Sequence, residues 1–437
     1  MTAAALPDDG PLPDEVDVVV VGAGPSGSAT AHHLARRGRR VLLLEKTGFP
    51  REKVCGDGLT PRAVAALADL GVDTAATDGW ARNAGLRVVS GGRAVEVPWP
   101  EHSRFPSYGL TRTRADLDGL LADRAAAAGA DLRVRTPVVG PLRDERTGRV
   151  AGVLAEPRDP DGRPLGPPRP VRARVVVAAD GAASRLSGAV GRPRRPDRPI
   201  GVAVRTYHGG PGDDDPWLET WLEVPDGDRL LPGYAWVFGL GDGTRNVGIG
   251  LLDASAAGAA DARGLLRGWT ASLPADRELD EGTRTAPVRG AALAMGLNRT
   301  PHYARGLLLV GDAGGLVNPF NGEGISYALE SGALAADAVD DALTRPRAEG
   351  REAALHRYPR RLAEEYGGYY AAGRAFLRLI GDPRVMRAAT THGPRHPRAL
   401  AFTVRVLANL TDAGRHGGPD RAVDAVVAAL GRARRVT

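Results

Sequence analysis

A glycine-rich turn near the N-terminus constrains the fold of this chain more than any other feature. The β-branched run at residues 16–21 leads into the sequence GAGPSG at residues 22–27, where a helical pattern begins, and a second apolar run follows at residues 41–44. A buried strand, a glycine turn, a helix and a second strand predict a βαβ unit. Because Glu45 stands at the end of the second strand, this unit has the pattern of a dinucleotide-binding fold.

The residues of this turn have separate tasks. Gly22 permits the tight turn, Gly24 lets the backbone approach a pyrophosphate, and Gly27 lets the helix and the strand pack closely. The helix N-terminus, which includes Ser26, offers free N–H groups and a positive dipole to phosphates. We expect Glu45 to accept hydrogen bonds from the ribose hydroxyls of the dinucleotide.

A second strand–turn–helix pattern follows about 290 residues later. The apolar run at residues 307–310 enters GDAG at residues 311–314, and VNPFNGEG at residues 317–324 precedes another helical pattern. This combination resembles the GD…P…G signature of the FAD-dependent hydroxylase and reductase superfamily. The resemblance implies a Rossmann-type α/β FAD-binding domain of the p-hydroxybenzoate hydroxylase-like kind. Asp312 would bind the ribityl chain, and Gly324 and Ile325 would point a helix N-terminus at the flavin.

Three weaker matches fit the same superfamily. The sequence ADG at residues 179–181 matches the central DG motif of this superfamily, although an ordinary glycine turn after a buried strand would give the same sequence pattern. Arg114, at a predicted helix start, matches a pyrophosphate-binding arginine, with Arg112 as the alternative. Val139, just after a predicted strand, matches a position beside the adenine.

The hydrophobic pattern divides the chain into parts. Around the two strand–turn–helix patterns, short apolar runs are typical of buried parallel strands. Within residues 191–285, apolar and polar residues alternate, which is typical of an antiparallel sheet. The C-terminal part has the pattern of several short helices. The predicted parts are a disordered N-terminus at 1–15, a discontinuous FAD-binding domain at 16–80, 103–190 and 286–345, a substrate-binding β-sheet domain at 81–102 and 191–285, and a C-terminal helical region at 346–437.

Two further segments indicate the reaction. FPREKVCGDG at residues 49–58 resembles the PRxKxCGDG loop of the geranylgeranyl reductase family, and PGYAWVFG at 232–239 with NVGIG at 246–250 resembles its YxWxFP box and NVGxG strand. Gly239 departs from the family, which has Pro there, so we expect a looser backbone at the end of the box. Over nearly the whole chain, the resemblance is strongest to the actinobacterial menaquinone reductases of this family.

The resemblance implies an FAD-dependent oxidoreductase acting on CH–CH groups. It would saturate a C=C bond of an isoprenoid chain, either one isoprene unit of a menaquinone side chain or a geranylgeranyl group. This chemistry combines a hydride from flavin N5 with a proton, in a site that excludes water. Cys55 is the candidate proton source, or else a small filler beside the flavin, and Tyr234 or a water molecule is the alternative donor.

Period-2 spacing places Tyr234, Trp236 and Phe238 on one strand face, where they line a tunnel for the prenyl chain or pack the sheet. No metal site is predicted. Without a second GxGxxG unit, the electron donor stays open between NAD(P)H, ferredoxin and another reductase protein. The residues expected to bind FAD are Gly22, Gly24, Ser26, Gly27, Glu45, Lys46, Cys55, Gly56, Gly58, Arg114, Val139, Asp312, Pro319, Gly322, Gly324 and Ile325.

At 437 residues the chain exceeds the roughly 250–300 residues at which single cores stop growing, so we expect more than one domain.

The cysteine content and the hydropathy of the sequence indicate where the protein works. Cys55 is the only cysteine, which fits a reducing cytoplasm. The N-terminus lacks the features of a signal peptide, and no segment approaches the roughly 20 apolar residues of a membrane span. A lipid substrate would therefore be reached by peripheral contact with the membrane surface.

Basic residues are concentrated towards the C-terminus. Residues 346–437 hold 17 Arg against 8 acidic residues, although the formal net charge of the whole chain is only +6. Such a region suits anionic lipid head groups, nucleic acid or a solvated helical surface. Nucleic acid is not the expected partner, because the motifs indicate a prenyl lipid such as menaquinone.

Three other functions share parts of this pattern. An FAD-dependent monooxygenase acting on a secondary metabolite would share both fingerprints, but the CGDG loop and the aromatic box argue against it. A flavin-dependent halogenase would carry a WxWxIP segment, which this sequence lacks. A non-catalytic flavoprotein that carries electrons or a prenyl lipid would need no apolar tunnel beside the flavin.

Overall fold

Two β-sheets, one parallel at its centre and one largely antiparallel, organise the chain. The computed structural model describes residues 10–74, 79–227, 229–252 and 261–433. The described strands, in chain order, are β1 (Glu15–Val21), β2 (Val41–Leu44), β3 (Gly58–Leu59), β4 (Ala81–Asn83), β5 (Gly85–Ser90), β6 (Arg93–Pro98), β7 (Gly109–Thr111), β8 (Asp131–Arg133), β9 (Val138–Arg143), β10 (Val150–Ala155), β11 (Arg169–Ala178), β12 (Ile200–Gly209), β13 (Trp217–Trp221), β14 (Pro225–Asp226), β15 (Arg229–Leu230), β16 (Gly233–Gly239), β17 (Thr244–Leu251), β18 (Arg289–Ala294), β19 (Tyr303–Ala304) and β20 (Leu307–Leu309).

Helices cover the first sheet and form most of the C-terminal part. The described α-helices, in chain order, are α1 (Pro25–Ala35), α2 (Pro61–Asp69), α3 (Arg114–Ala127), α4 (Arg185–Ala189), α5 (Ala262–Ser272), α6 (Ile325–Thr344), α7 (Ala348–Leu355), α8 (Arg357–Ile380), α9 (Pro383–His392), α10 (Pro397–Leu407), α11 (Ala413–His416) and α12 (Gly418–Ala433).

The first sheet has the order β19-β20-β11-β1-β2-β8, and β10 and β9 extend it from β11. The pairs β20–β11, β11–β1, β1–β2 and β2–β8 are parallel. Their apolar residues are buried on both faces, as expected for strands between helical layers. The glycine turn at residues 22–27 therefore lies at the carboxyl edge of the central strand, where ligands of open α/β sheets bind.

The second sheet has the order β18-β12-β17-β16-β13-β5-β6. All neighbouring pairs are antiparallel except β13–β5. The predicted combination of a Rossmann-type FAD-binding domain, a mostly antiparallel sheet domain and a C-terminal helical region is confirmed. Because β18 pairs with β12, residues 289–294 belong to the second sheet, so this sheet extends past the predicted boundary at residue 285.

Two buried tyrosines of α8 join the C-terminal helices to the FAD-binding domain. The Tyr358 hydroxyl donates to the carbonyl of Leu309 at 2.8 Å, and the Tyr370 hydroxyl donates to that of Leu316 at 2.6 Å. Since these carbonyls flank the GDAG turn, the helices support the same edge of the first sheet that carries the motifs. Among the described residues, no helix has the length and apolar content needed to cross a bilayer.

The N-terminal segment makes ordered contacts from Leu12 onward, closer to the N-terminus than the sequence predicts. Leu12 is buried, the Asp14 carbonyl accepts a hydrogen bond from the Arg172 amide, and β1 already begins at Glu15. The predicted disordered stretch therefore does not include residues 12–15. Residues 1–9 lie outside the described part of the chain.

The backbone at Gly239 is closely packed, contrary to the expected looseness. A Cβ at this position would lie 2.2 Å from the carbonyl oxygen of Asp213, and the Gly239 carbonyl accepts a hydrogen bond from the Thr111 hydroxyl at 2.9 Å. Gly239 also still pairs with Arg245 in the sheet. The absence of a side chain at Gly239 thus lets the backbone of the 210–215 loop pack directly against this strand.

This contact predicts that Gly239→Ala destabilises the protein. The added methyl group meets backbone rather than a movable side chain, so we expect the free energy of unfolding to fall by about 1–3 kcal/mol. Gly140→Ala is the matched control, because a Cβ on this other strand glycine meets no atom within 4 Å. Denaturant unfolding of both variants checks the expectation, which an equal stability of the two would contradict.

Candidate active site

A cavity of about 640 Å³ lies between the carboxyl edge of the first sheet and one face of the second sheet. Its walls come from the ends of β1 and β2, from the N-termini of α1 and α6, from the CGDG loop and from β16, β17 and β18. The predicted site residues that line it are Gly22, Gly24, Ser26, Glu45, Lys46, Cys55, Gly56, Arg114, Tyr234, Trp236, Phe238, Asp312, Gly322, Gly324 and Ile325.

The glycine turn has the geometry that its sequence predicts. Gly22 has a φ of 102°, and a Cβ there would lie 2.4 Å from the carbonyl oxygen of Ala179. A Cβ on Gly27 would lie 1.8 Å from the carbonyl oxygen of Gly22, so this residue serves close packing and does not line the cavity. A Cβ on Gly24 would lie 3.3 Å from the Arg51 guanidinium, and Gly24 lines the cavity.

Glu45 fixes the turn to the end of β2. Its carboxylate accepts hydrogen bonds from the Ala23 amide at 3.0 Å and from the amide and hydroxyl of Thr47 at 3.2 and 3.1 Å. A carboxylate offers about four acceptor sites, so capacity for a ribose hydroxyl remains. Lys46 lies exposed at the mouth of the cavity beside it.

Arg51 is a site residue that the sequence reasoning did not single out. Its guanidinium lies 2.9 Å from an Asp118 carboxylate oxygen and 3.7 Å from one of Glu45, so it crosses the mouth of the glycine turn. Its buried Nε makes no hydrogen bond within the described residues. The signal was present, since Arg51 is the arginine of the PRxKxCGDG loop.

The residues present fit an FAD molecule. The α1 N-terminus and Arg51 offer donors for a pyrophosphate, and the α6 N-terminus with Gly322 and Gly324 offers backbone for the flavin edge. Asp312 lies beside Gly324, and its carboxylate is 3.9 Å from the Lys53 ammonium. One carboxylate oxygen of Asp180, at the cavity wall, makes no hydrogen bond within the described residues. The cavity thus offers donors for phosphate groups and acceptors for hydroxyl groups, both of which a dinucleotide requires.

Arg114 lies at the start of α3, buried and lining the cavity. Its guanidinium makes two hydrogen bonds to the Asp118 carboxylate, at 2.7 and 2.8 Å. Burial lowers the pKa of Arg114, but the Asp118 charge outweighs it and the pKa is raised overall. Arg114 is therefore a fixed cation in the wall shared by the predicted pyrophosphate site and Cys55.

Cys55 lines the cavity in a loop that is held at several points. Its sulfur accepts a hydrogen bond from the Asp57 amide at 3.3 Å, and its carbonyl accepts one from the Asn246 side chain at 2.8 Å. Burial raises the pKa of the Cys55 thiol, and the positive charge of Arg114 partly opposes this rise. The thiol is consequently protonated at neutral pH.

Asp57 is the centre of a hydrogen-bond network that the sequence reasoning missed. One carboxylate oxygen accepts from the Tyr207 hydroxyl at 2.6 Å and from Asn246 Nδ2 at 2.7 Å, and the other accepts from the Arg114 amide at 3.1 Å. The residue is fully buried. It therefore joins the CGDG loop to α3, β12 and β17. Its place in CGDG, and that of Asn246 in NVGIG, were the available signals.

The aromatic box of β16 faces the CGDG loop and the cavity. Ring centroids are 5.9 Å apart for Tyr234 and Trp236 and 6.2 Å apart for Trp236 and Phe238. The indole of Trp236 donates to Asn246 Oδ1 at 2.8 Å and lies over Gly248, where a Cβ would be 2.3 Å from the ring. The predicted common face is thus present, and the second glycine-containing motif makes room for it.

Besides Gly27, three predicted cofactor residues do not line the cavity. Val139 is 40% exposed and its neighbour Val138 lines the cavity instead, because successive strand residues point to opposite faces. Pro319 packs against Gly373 of α8, where a Cβ would be 2.5 Å from the proline ring. Gly58 packs against Phe238 and Leu218 behind the cavity wall. Their roles in binding the cofactor stay predictions.

Comparison with known proteins agrees with this architecture. The family described as FAD binding domain matches residues 15–227. A menaquinone reductase of Mycobacterium tuberculosis is 40% identical over 91% of this chain and 92% of its own length. A digeranylgeranylglycerophospholipid reductase of Methanopyrus kandleri is 31% identical over 84% of this chain and 91% of its own.

The fold also has a solved counterpart. A geranylgeranyl bacteriochlorophyll reductase-like protein from Thermoplasma acidophilum superposes with a TM-score of 0.77 at 22% identity, covering 94% of this chain and 99% of that one. With the extensive identity to the two reductases, these matches and the geometry of the cavity identify the chain as a member of the geranylgeranyl reductase family of FAD-dependent oxidoreductases.

Proposed function

We propose that this enzyme saturates a C=C bond of an isoprenoid chain, either one isoprene unit of a menaquinone side chain or a geranylgeranyl group. The observation that carries the proposal is the meeting of Cys55 and the β16 aromatic face in the cavity that also holds the FAD-binding motifs. The relatives named for reduction of menaquinone and of digeranylgeranylglycerophospholipid support the same class of substrate.

The chain's own residues bind the alkene, exclude water and supply a proton. Tyr234, Trp236 and Phe238 give the cavity an apolar wall, continued by Leu252 and Leu293. When bound, reduced FAD supplies the hydride. An unactivated alkene accepts a hydride only if a proton reaches the adjacent carbon, so an acid must stand in the same dry space.

Cys55 is the proton donor in this proposal. Its raised pKa keeps the thiol protonated, and the loop bonds from Asp57 and Asn246 hold it at the cavity wall. Tyr234 is the weaker candidate, because its hydroxyl already donates to the Asn321 carbonyl at 2.6 Å. In this arrangement, Asp57 is a positioning residue that acts through the loop.

The cofactor contacts and the partners complete the proposal. Glu45, Arg51, Arg114 and Asp312 would hold FAD, with the backbone of the glycine turn. The electron donor is NAD(P)H, ferredoxin or another reductase protein. A substrate with a long prenyl chain is reached from the membrane, so in this proposal the enzyme would act as a peripheral protein at the cytoplasmic face.

Reduction without oxygen is the first test. FAD-loaded protein reduced with dithionite under anaerobic conditions should convert menaquinone dispersed in detergent to a product heavier by two hydrogens, measured by mass spectrometry. A monooxygenase or halogenase would need oxygen, and a non-catalytic carrier would leave the lipid unchanged in both atmospheres. An oxygenated product formed only in air would contradict the proposal.

Replacement of the thiol tests the proton donor. Because a general acid contributes about 10²–10⁴ to a rate, Cys55→Ala should lower kcat by at least about a hundredfold while FAD content stays unchanged. Cys55→Ser keeps the size of the side chain but offers a much weaker acid, so it should resemble the alanine variant. Single-turnover flavin reoxidation measures both, and a wild-type rate in Cys55→Ala would assign the proton to another group.

The Asp57 network predicts a pH-dependent stability. Burial raises the pKa of Asp57 to about 6, although the hydrogen bonds from Tyr207 and Asn246 and the charges of Arg205 and Arg114 oppose the rise. The folded state therefore holds this proton more tightly than the unfolded state, whose Asp pKa is about 3.9. The resulting stabilisation is full below about pH 4 and is lost as pH rises through about 6, by an amount on the order of 3 kcal/mol.

The matched variant for this effect is Asp57→Asn, which has no proton to lose. The free energy of unfolding of the wild type, minus that of the variant, should decrease between about pH 4 and pH 7. Denaturant titrations across this range measure the difference. A difference that does not change with pH would show that Asp57 has an ordinary pKa.

A further inference from the structure

The segment from the middle of α8 to four residues past the end of α10 has an unusual charge. Residues 366–411 contain seven Arg and one acidic residue, Asp382, so this stretch alone has a formal charge of +6, equal to that of the whole chain. Asp382 caps α9 by accepting a hydrogen bond from the Arg384 amide at 2.8 Å. The only carboxylate of the segment is thus engaged with backbone.

Five of these arginines form what we call the basic corner, together with Leu379. All six side chains are exposed, and none of the five guanidinium groups is in an ion pair among the described residues. Earlier arginines of the same helical region behave differently, since Arg357 pairs with Asp341 and Arg361 with Asp337. The members of the basic corner are Arg378, Leu379, Arg384, Arg387, Arg395 and Arg398.

Leu379 gives the basic corner an apolar component. At 57% exposure it is among the few large hydrophobic side chains on the described surface. It stands in the last turn of α8, directly before the turn into α9. On α9, Arg384 and Arg387 share one outward face with Ala388 and Thr391, at the i, i+3, i+4 and i+7 spacing of a helix. Exposed arginines around an exposed leucine suit a surface with anionic head groups above an apolar interior.

The inner side of the same two helices reaches the cavity through apolar packing. Leu377 and Ile380 of α8 and Met386 of α9 belong to one buried cluster with Leu252 and Val317, which themselves line the cavity. Tyr234 of the aromatic box packs against this cluster. The basic corner therefore stands on the outside of a continuous apolar connection to the proposed site of reduction.

We propose that the basic corner docks the enzyme on an anionic phospholipid bilayer and directs the apolar connection behind it towards the membrane, as the entry route of the prenyl chain. This inference rests on the proposed function for the identity of the substrate. The docking surface itself rests on charge, exposure and continuity with the cavity. Each arginine close to an anionic surface contributes about a fivefold gain in binding.

The test uses the full-length, FAD-loaded protein and vesicle co-sedimentation. Vesicles of equal parts phosphatidylcholine and phosphatidylglycerol should bind the wild type in a salt-sensitive way, and vesicles of phosphatidylcholine alone should bind it much less. Arg384→Glu/Arg387→Glu should weaken binding by more than about tenfold. The matched control is Arg163→Glu/Arg169→Glu, the same charge change at two exposed arginines near the tip of the β10–β11 hairpin, which should bind like the wild type.

A second pair of variants separates a bilayer from other polyanions. Leu379→Ser should weaken vesicle binding several-fold, whereas Leu165→Ser, which alters a leucine 70% exposed on the 157–170 loop, should not. Absence of wild-type binding to the anionic vesicles, or equal binding by the two arginine double variants, would overturn the proposal. So would binding to duplex DNA as tight as to vesicles with no effect of Leu379→Ser, which would indicate a nucleic-acid surface.

Activity in two substrate forms distinguishes this proposal from the assignment of the reaction. The Arg384→Glu/Arg387→Glu variant should reduce detergent-dispersed menaquinone like the wild type but lose activity on menaquinone embedded in anionic vesicles. If the wild type binds vesicles yet reduces no prenyl lipid in detergent, the reaction is wrong and the docking surface stands. If both enzymes reduce vesicle-embedded menaquinone equally well, the basic corner is not the docking surface.

Discussion

The buried Asp57 carboxylate is the point on which the arrangement of the active site depends. Three donors from three different elements, α3, β12 and β17, converge on its two oxygens. A buried charge is tolerated only when its hydrogen bonds are made, so each of these elements is constrained by the others. A shift of the loop that presents Cys55 would break its hydrogen bonds to α3, which covers the first sheet, and to two strands of the second sheet. The chemistry of one loop is therefore tied to the relative position of two domains.

Much of the fold could be predicted because its requirements are local. The carbonyl oxygen of Gly22, within the same strand–turn–helix unit, leaves no room for a side chain at Gly27, and Gly22 itself has a positive φ in that turn. A short sequence pattern records both requirements. The common face of Tyr234, Trp236 and Phe238 follows from the period of a single strand. Both features needed no knowledge of distant contacts.

The parts that the sequence reasoning missed depend on distant contacts or on register. Tyr207 and Asn246 donate hydrogen bonds to Asp57 from 150 and 189 residues further along the chain, and no local sequence pattern predicts such a pairing. Val138 rather than Val139 lines the cavity because a shift of one residue reverses the face of a strand. Pro319 looked like a cofactor contact, but a helix from the C-terminal region lies against it. Tertiary packing decided each of these cases.

The cavity has walls from both sheets, from the Gly22 turn on one side to Trp236 on the other. A molecule that fills it contacts surfaces that face each other only in the folded chain. By mass action, such a ligand stabilises the native state in proportion to the logarithm of its free concentration. The supply of flavin in the cell thus acts on the lifetime of this protein as well as on its turnover, and scarcity of the cofactor would favour its removal by proteolysis.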